Sequence, residues 1–410
     1  MQKKLLILGG AKAQLQLINA AKKEDYYVVL CDFTDSNPGI AISDKHYKIN
    51  YMDLDSVLNV AEKEKVDGVI SNSEYAMPTV SYVCDKIHCI GNSSKSLSLI
   101  NDKYKFRELQ KSLGLYSPNA VESATWEDCL EKVQQLSFPV VIKPSQSSGS
   151  RGTTKVESFE AFLLAQKEWE QCEHFSRNHR VVVEEYVELP DLDAVIDGDI
   201  FVLGDTILYN GLFTSKRSKR RPLIPMMQTY PIILDENHLD RLKNGIEKIV
   251  RGAGITWGEL NVEAYYTKDD ELFFIEFNAR QGGNGIPEMI LKHSGIDYNK
   301  LLVTTSVSER DYFQDIINTQ NSRRYVTRQQ LFWTDDNNSC CYKGICFSKE
   351  IEPFIKGIKD VVSKNTIIQP AQNASDCLAW IDLEFESREQ QIALTRDIEM
   401  QIWPEIELVK

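Results

Sequence analysis

Positive charge is in deficit in this 410-residue chain: 47 Lys and Arg stand against 60 Asp and Glu, a net charge of -13. Without a basic field, general binding to DNA or to anionic membranes is excluded as a main role. Long apolar runs are missing too, and none reaches the roughly 20 residues of a membrane helix. The apolar stretch at residues 5–8 stops at Gly9-Gly10, too short for a signal-peptide core, and no small-residue cleavage site follows. The nine cysteines contain no Cys-x-x-Cys pair. The spacings of Cys84 and Cys89, and of Cys340, Cys341 and Cys346, fit no zinc template. They read as reduced thiols of a soluble, cytoplasmic protein. Internal repeats and low-complexity segments are absent.

What is present is ordinary globular composition, 42% hydrophobic and 26% charged. At roughly 100–200 residues per domain, the length allows about two to four domains. Up to about residue 100, short apolar strands alternate with helices. Strands are predicted at 4–8, 27–31, 47–50, 67–71 and 87–90, and helices at 12–24, 53–64 and 76–85. That pattern implies a doubly wound parallel sheet. Helices follow at 103–113, 126–136 and 159–172, with strands at 139–143, 153–156 and 180–187. Further strands are expected at 194–203, 206–213 and 227–234, a basic loop at 215–221 and a helix at 239–252. The tail carries expected strands at 325–333 and 379–385 and helices at 353–363 and 388–401. Soft boundaries near 100 and 310 divide the chain into segments 1–100, 101–310 and 311–410.

Gly9-Gly10 after the first strand, with Asp32 ending the second, suggests a dinucleotide site. The Gly-x-Gly-x-x-Gly fingerprint is incomplete, because Ala11 and Gln14 occupy its next two places. A doubly wound domain with a tight turn is the competing reading.

Stronger chemistry lies further on. In the stretch 272–277, alternation puts Phe274, Glu276 and Asn278 on one face. A symmetric turn at 267–270 sets Glu263 opposite Phe274 and diagonal to Glu276, within reach of two converging carboxylates. Two carboxylates and an amide oxygen suit magnesium, which takes one or two protein carboxylates and fills its remaining positions with phosphate and water. Arg280 adds a fixed cation for phosphate. A solvent-facing acidic strand is the plain alternative. Upstream, Lys143 ends an apolar strand. The loop after it, Ser147, Ser148, Gly149, Ser150, Arg151 and Gly152, offers N–H groups and hydroxyls to phosphate, although it is no P-loop. Glu184 and Glu185 end an apolar strand whose backbone offers a donor and an acceptor to a base edge, an ordinary edge strand being the alternative reading.

Taken in order, these segments resemble the ATP-grasp superfamily. Asp102, Lys103 and Arg107 precede Pro-Val-Val-Ile-Lys-Pro; then come Val-Val-Val-Glu-Glu-Tyr-Val, Glu263 and Phe-Ile-Glu-Phe-Asn-Ala-Arg. The resemblance is to the branch holding biotin carboxylase, the carbamoyl phosphate synthetase halves, purine-pathway ligases and amino-acid ligases, over about residues 3–309. It implies a pre-ATP-grasp α/β domain, a two-lobed ATP-grasp domain and a small C-terminal α+β domain. It also implies ATP with Mg2+ or Mn2+. By that resemblance Lys103 and Lys143 hold phosphates and residues 147–152 form a lid. Glu184, Glu185 and Val187 form the adenine hinge, and Asp191 or Asp193 meets the ribose, where the family's glutamate is missing. Glu263, Glu276 and Asn278 bind the metal, and Arg280 steadies the transferred phosphoryl group.

The basic cluster Lys216, Arg217, Lys219, Arg220 and Arg221 is read either as a solvated loop, as a source of cations for the active site, or as a dock for an acidic carrier. The expected activity is an ADP-forming carboxylate–amine ligase with an acyl phosphate intermediate and small-molecule substrates. Bicarbonate activation, a non-catalytic nucleotide-binding role and an NAD-dependent dehydrogenase are the alternatives. A homodimer stays open.

Overall fold

The computed structural model describes residues 2–147, 152–220, 222, 224–319, 323–334 and 339–408. Its strands form four sheets. The first is parallel, in the order Lys45–Lys48, Tyr27–Asp32, Lys4–Leu8 and Gly68–Ile70. Its central strand is almost wholly buried, as a sheet covered by helices on both faces requires. The helix Leu54–Glu64 starts where the Asp53 side chain accepts from the Ser56 N–H and stops at Lys65 in the left-handed conformation.

The turn after the first strand does not present an acid to a ribose. Gly10 N–H donates to Asp32 at 2.7 Å, and Thr34 N–H and Asn37 Nδ2 donate to the same carboxylate at 3.0 and 2.8 Å. Asp32 closes its own loop, which removes the feature that suggested a dehydrogenase. A Cβ on Gly10 would meet Leu30 at 2.8 Å, so the glycine serves close packing.

The second sheet is antiparallel, in the order Ala120–Ser123, Val181–Glu185, Val140–Pro144 and Thr154–Val156, over a core that includes Trp126, Phe162 and Trp169. The third has eight strands, in the order Leu272–Asn278, Trp257–Tyr266, Val195–Leu203, Thr206–Arg217, Pro225–Tyr230, Tyr325–Leu331, Ala379–Phe385 and Ile355–Asp360. Strands from both sides of residue 310 therefore share one sheet. A small sheet of Thr366–Ile368, Cys340–Phe347 and Ile402–Leu408 completes the molecule.

Several expectations change. Residues 87–90 are not a strand: Ile87 ends the helix Met77–Ile87, and His88 is left-handed. The helix expected at 353–363 is a short 3-10 turn followed by the strand Ile355–Asp360, paired on one side with Ala379–Phe385. The helix expected at 159–172 is two helices, Phe159–Phe162 and Gln166–Phe175. Part of the basic loop is strand, because Thr206–Arg217 runs on against Pro225–Tyr230. None of the nine cysteines forms a disulfide. Among the described residues, no helix is long and apolar enough to cross a membrane.

Candidate active site

A cavity of about 460 Å3 lies between the second sheet and the eight-stranded one. Lys103, Lys143, Ser147, Glu184, Val187, Glu263 and Glu276 all line it. Residues expected to act together from four separate stretches of sequence thus meet at one place. Ser148, Gly149, Ser150 and Arg151, and also Arg221, lie outside the described residues.

Lys143 is delivered by the strand Val140–Pro144 and is buried against Glu184, with which it forms an ion pair. Glu184 also accepts from Arg107 Nε at 2.9 Å and Nη2 at 3.3 Å. Burial lowers the Lys143 pKa to about 7, with Glu184 opposing and Arg107 adding to the drop. Burial works to raise Glu184, but Arg107 and Lys143 outweigh it and hold that carboxyl at about 2. Glu184 is therefore a carboxylate clamped between two cations, rather than a side chain free to read a base. Lys103 opens the helix Lys103–Ser112, donates to the Ser147 carbonyl at 3.1 Å and stands 3.6 Å from Glu276.

Glu185 faces away, since neighbours on a strand point to opposite sides. Its carboxylate accepts from Ser137 N–H at 2.9 Å and Asn119 Nδ2 at 3.1 Å, and it does not line the cavity. The side-chain half of the expected hinge is corrected accordingly. Val187 does line the cavity, and its carbonyl accepts from Tyr265 Oη at 2.7 Å. Neither Asp191 nor Asp193 lines it; Asp191 accepts from the Asp193 N–H at 2.8 Å, and Asp193 pairs with Lys216 at 3.2 Å. Glu188 lines the cavity instead, a position the sequence reading passed over.

The carboxylate hairpin has a different register from the expected one. Tyr266 pairs with Leu272, so the loop holds residues 267–271, one more than a symmetric turn at 267–270. A bulge then shifts the pairing between Glu263 and Ala264. Together the two shifts set Glu263 directly opposite Glu276, rather than diagonal to it, and Asn261 opposite Asn278. The bulge also breaks alternation. Phe274 packs in the core with Phe277, while Phe273, Ile275 and Glu276 line the cavity. Phe274 and Glu276 are therefore not on one face.

Arg107 explains why the bulge persists. Its guanidinium donates to the carbonyls of Phe274 at 3.1 Å and Ile275 at 2.9 Å, and it lies 4.9 Å from the centroid of the Phe273 ring. The sequence marks Arg107 only as the end of the Asp102, Lys103, Arg107 segment, and its bonds to carbonyls 167 and 168 residues away were not legible beforehand.

Burial, then Asp197 and Glu276, push Glu263 up to about 7 against the pull of Arg217. Burial also acts to raise Glu276, but Lys103, the Asn278 bond and Arg280 leave it lowered. Arg217 forms an ion pair with Glu263 and lies 3.8 Å from Asp197. One cation of the basic cluster thus reaches the site, whereas Lys216, its neighbour on the strand, points the other way to Asp193. Asn278 donates to Glu276 at 3.0 Å and lines neither this cavity nor the next. Among the described residues, no group of three or more His, Cys, Asp or Glu is set to hold a metal alone. Facing carboxylates, one of them raised chiefly by burial, suit an ion that shares its coordination with phosphate and water.

Arg280 donates to the Gln281 carbonyl at 2.9 Å and lies 3.4 Å from Glu74 of the first unit. It lines a second cavity, of about 230 Å3, which shares Arg217, Glu263 and Glu276 with the first. One cleft therefore has an apolar end at Val187, Leu192 and Phe273, a charged middle, and a second chamber beyond the carboxylates.

Residues 113–305 match the family model described as D-ala D-ala ligase C-terminus. The carbamoyl phosphate synthase large chain of Clostridium acetobutylicum is 25% identical over 68% of this chain. The match spans about a quarter of that relative, 26% of its length. An L-amino acid ligase from Bacillus licheniformis superposes with a TM-score of 0.76 at 18% identity, covering 98% of each chain. The biotin carboxylase domain of Hydrogenobacter thermophilus 2-oxoglutarate carboxylase, solved with MgADP and bicarbonate, superposes with a TM-score of 0.70 at 17% identity. There the likeness covers 100% of this chain and 92% of the other.

Proposed function

We propose that this chain, a member of the ATP-grasp superfamily, is an ATP-dependent carboxylate–amine ligase that releases ADP and phosphate. One observation carries the reading: two lysines and two facing carboxylates line one cleft, with a second chamber opening beyond the carboxylates.

In this reading the adenine lies between Val187, Leu192 and Phe273, with the backbone near Val187 at its edge. Glu188 takes the ribose in place of either aspartate. Lys103 and Lys143 hold the phosphates, with Ser147 beside them. Glu263 and Glu276 hold Mg2+, and Asn278 orients Glu276. The bound ion neutralises charge on the transferring phosphoryl group. Arg280, and Arg217 once released from Glu263, supply fixed positive charge where the γ-phosphoryl group passes to the substrate carboxylate. An oxygen of that carboxylate attacks phosphorus and ADP leaves. The amine then attacks the acyl carbon, phosphate leaves, and the amine gives up a proton.

Pooled carboxylates and amines, incubated with protein, Mg2+ and ATP, should release phosphate and ADP. Release of AMP and pyrophosphate would refute the mechanism, and dependence on bicarbonate alone would move the enzyme among bicarbonate activators. Glu276→Gln should cut turnover at least about a hundredfold with an unchanged circular dichroism spectrum. Wild-type turnover in that variant would overturn the metal assignment.

A further inference from the structure

The second chamber has two unlike walls. Near the hairpin it is charged, with Asp197, Arg217, Glu263, Glu276 and Arg280. On the sheet side stand Ser215, Gln228 and Gln330, all uncharged. They come from three successive strands of the eight-stranded sheet. Ser215 pairs with Gln228, Gln228 pairs with Arg328, and Gln330 lies two residues beyond Arg328 on the same face. Ser215, Gln228 and Gln330 are 0%, 2% and 0% exposed.

These groups are incompletely bonded. Gln228 Nε2 donates to the Asn284 carbonyl at 3.3 Å, but its Oε1 has no partner among the described residues. Among the described residues, Ser215 Oγ and both amide atoms of Gln330 have none either. Buried amides and hydroxyls are almost always paired, and leaving one unpaired is destabilising. Several on one wall of one chamber point to a ligand that completes them.

The charges nearest these groups are already matched: Arg217, two residues beyond Ser215, pairs with Glu263 and lies 3.8 Å from Asp197, and Arg328, two residues before Gln330, donates to Asp382 at 2.7 and 2.9 Å and to Glu288 at 3.2 Å. A charged ligand tail would find no unmatched counter-ion beside these groups. An apolar tail would leave the amides and the hydroxyl unpaired. A group that both donates and accepts would satisfy them.

We propose that the carboxylate substrate carries, away from its reacting end, an uncharged hydrogen-bonding group of the amide or hydroxyl class, held by Ser215, Gln228 and Gln330. The assignment rests on the ligase reading for which end of the substrate faces Arg280. These three are specificity residues, remote from the reacting atoms.

The test uses the whole chain with Mg2+ and a non-hydrolysable ATP analogue, titrated calorimetrically with matched acids. Asparagine is compared with leucine and aspartate, and succinamate with 4-methylpentanoate and succinate. The amide member of each set should bind at least about tenfold tighter than its apolar and charged counterparts, because a site built to hydrogen-bond discriminates strongly. Gln330→Met should reduce that preference to less than about threefold. Without ligand the variant should melt no lower than the wild type, since it loses an unpaired amide. Ser215→Ala reads the same wall should Gln330→Met fail to fold. Equal binding within each set, binding of no member, or wild-type preference in the variants would overturn the proposal. So would a Gln330→Met protein that folds but melts well below the wild type, which would mark Gln330 as structural. Phosphate release from MgATP is read in parallel. Amide-selective binding without ADP formation keeps the wall and sinks the ligase reading; ADP formation indifferent to the amide does the reverse.

Discussion

Lys143 shows how burial converts a common residue into a responsive one. Its pKa falls to about 7, chiefly by loss of water and despite the Glu184 carboxylate. A phosphate placed beside it would raise that pKa again, so binding favours the protonated lysine. The affinity for ADP should therefore be full below pH 7 and weaken as pH rises past 7, by up to about tenfold per pH unit. Calorimetry in buffers of different ionisation enthalpy should record proton uptake above pH 7. Lys143→Arg should flatten the profile, because a guanidinium keeps its charge. A wild-type affinity constant from pH 6 to 9 would contradict this account. The lysine, Glu184 and both hairpin glutamates were legible as candidates in the sequence. The clamp between Lys143 and Arg107 was not, since Glu184 is 77 residues from Arg107.

The hairpin Trp257–Tyr266 and Leu272–Asn278 carries the lesson at the level of the element. Its apolar pattern marks two strands and its carboxylates mark a site, but register depends on turn length and on the bulge. Arg107 holds both bulge carbonyls and one carboxylate from a helix that is remote in sequence. Arg107→Met should lower stability by about 3–5 kcal/mol, because it takes one of two cations from a buried carboxylate and frees the Ile275 carbonyl, while Phe274 keeps its bond from Gln110. Urea denaturation measures the loss. The double variant Arg107→Met, Glu184→Met should recover part of it by removing that carboxylate; an equally unstable double variant would show that Arg107 acts through the bulge alone. Three helices that shape the second chamber or back it, Ile286–Ser294, Tyr298–Ser306 and Asp311–Asn318, went unread in the sequence. Tyr298–Ser306 is buried on nearly every side, which dilutes its periodicity, whereas Asp311–Asn318 buries only Phe313 and Ile316 on a single face.

Across the whole molecule, the cleft is made by parts that lie far apart in the chain. Glu74 of the parallel-sheet unit accepts from Arg177 of the second-sheet unit at 3.2 Å and pairs with Arg280 beyond the hairpin at 3.4 Å. A nucleotide bound between the sheets would touch groups from both and stabilise their association. MgADP at a hundred times its Kd should add about 2.7 kcal/mol to stability, read as a rise in melting temperature. A chelator should remove most of that rise, because Glu263 and Glu276 then face the phosphates without the cation between them. A melting temperature indifferent to Mg2+ would count against the metal site.

By itself the sequence determined the classes of side chain and their order along the chain. An acidic surface, a parallel α/β front, lysines ending or opening apolar elements, and carboxylates inside an apolar strand are local patterns. They follow from periodicity and residue chemistry. The tertiary structure decided which of those side chains share a cavity. It turned Glu185 outward, engaged Asp191 and Asp193 elsewhere, set Glu263 opposite Glu276 and drew Arg217 out of a basic run. Each outcome depends on a bulge, a register or a buried ion pair made by residues distant in sequence. Such contacts form only when the packed core brings their partners within hydrogen-bonding distance.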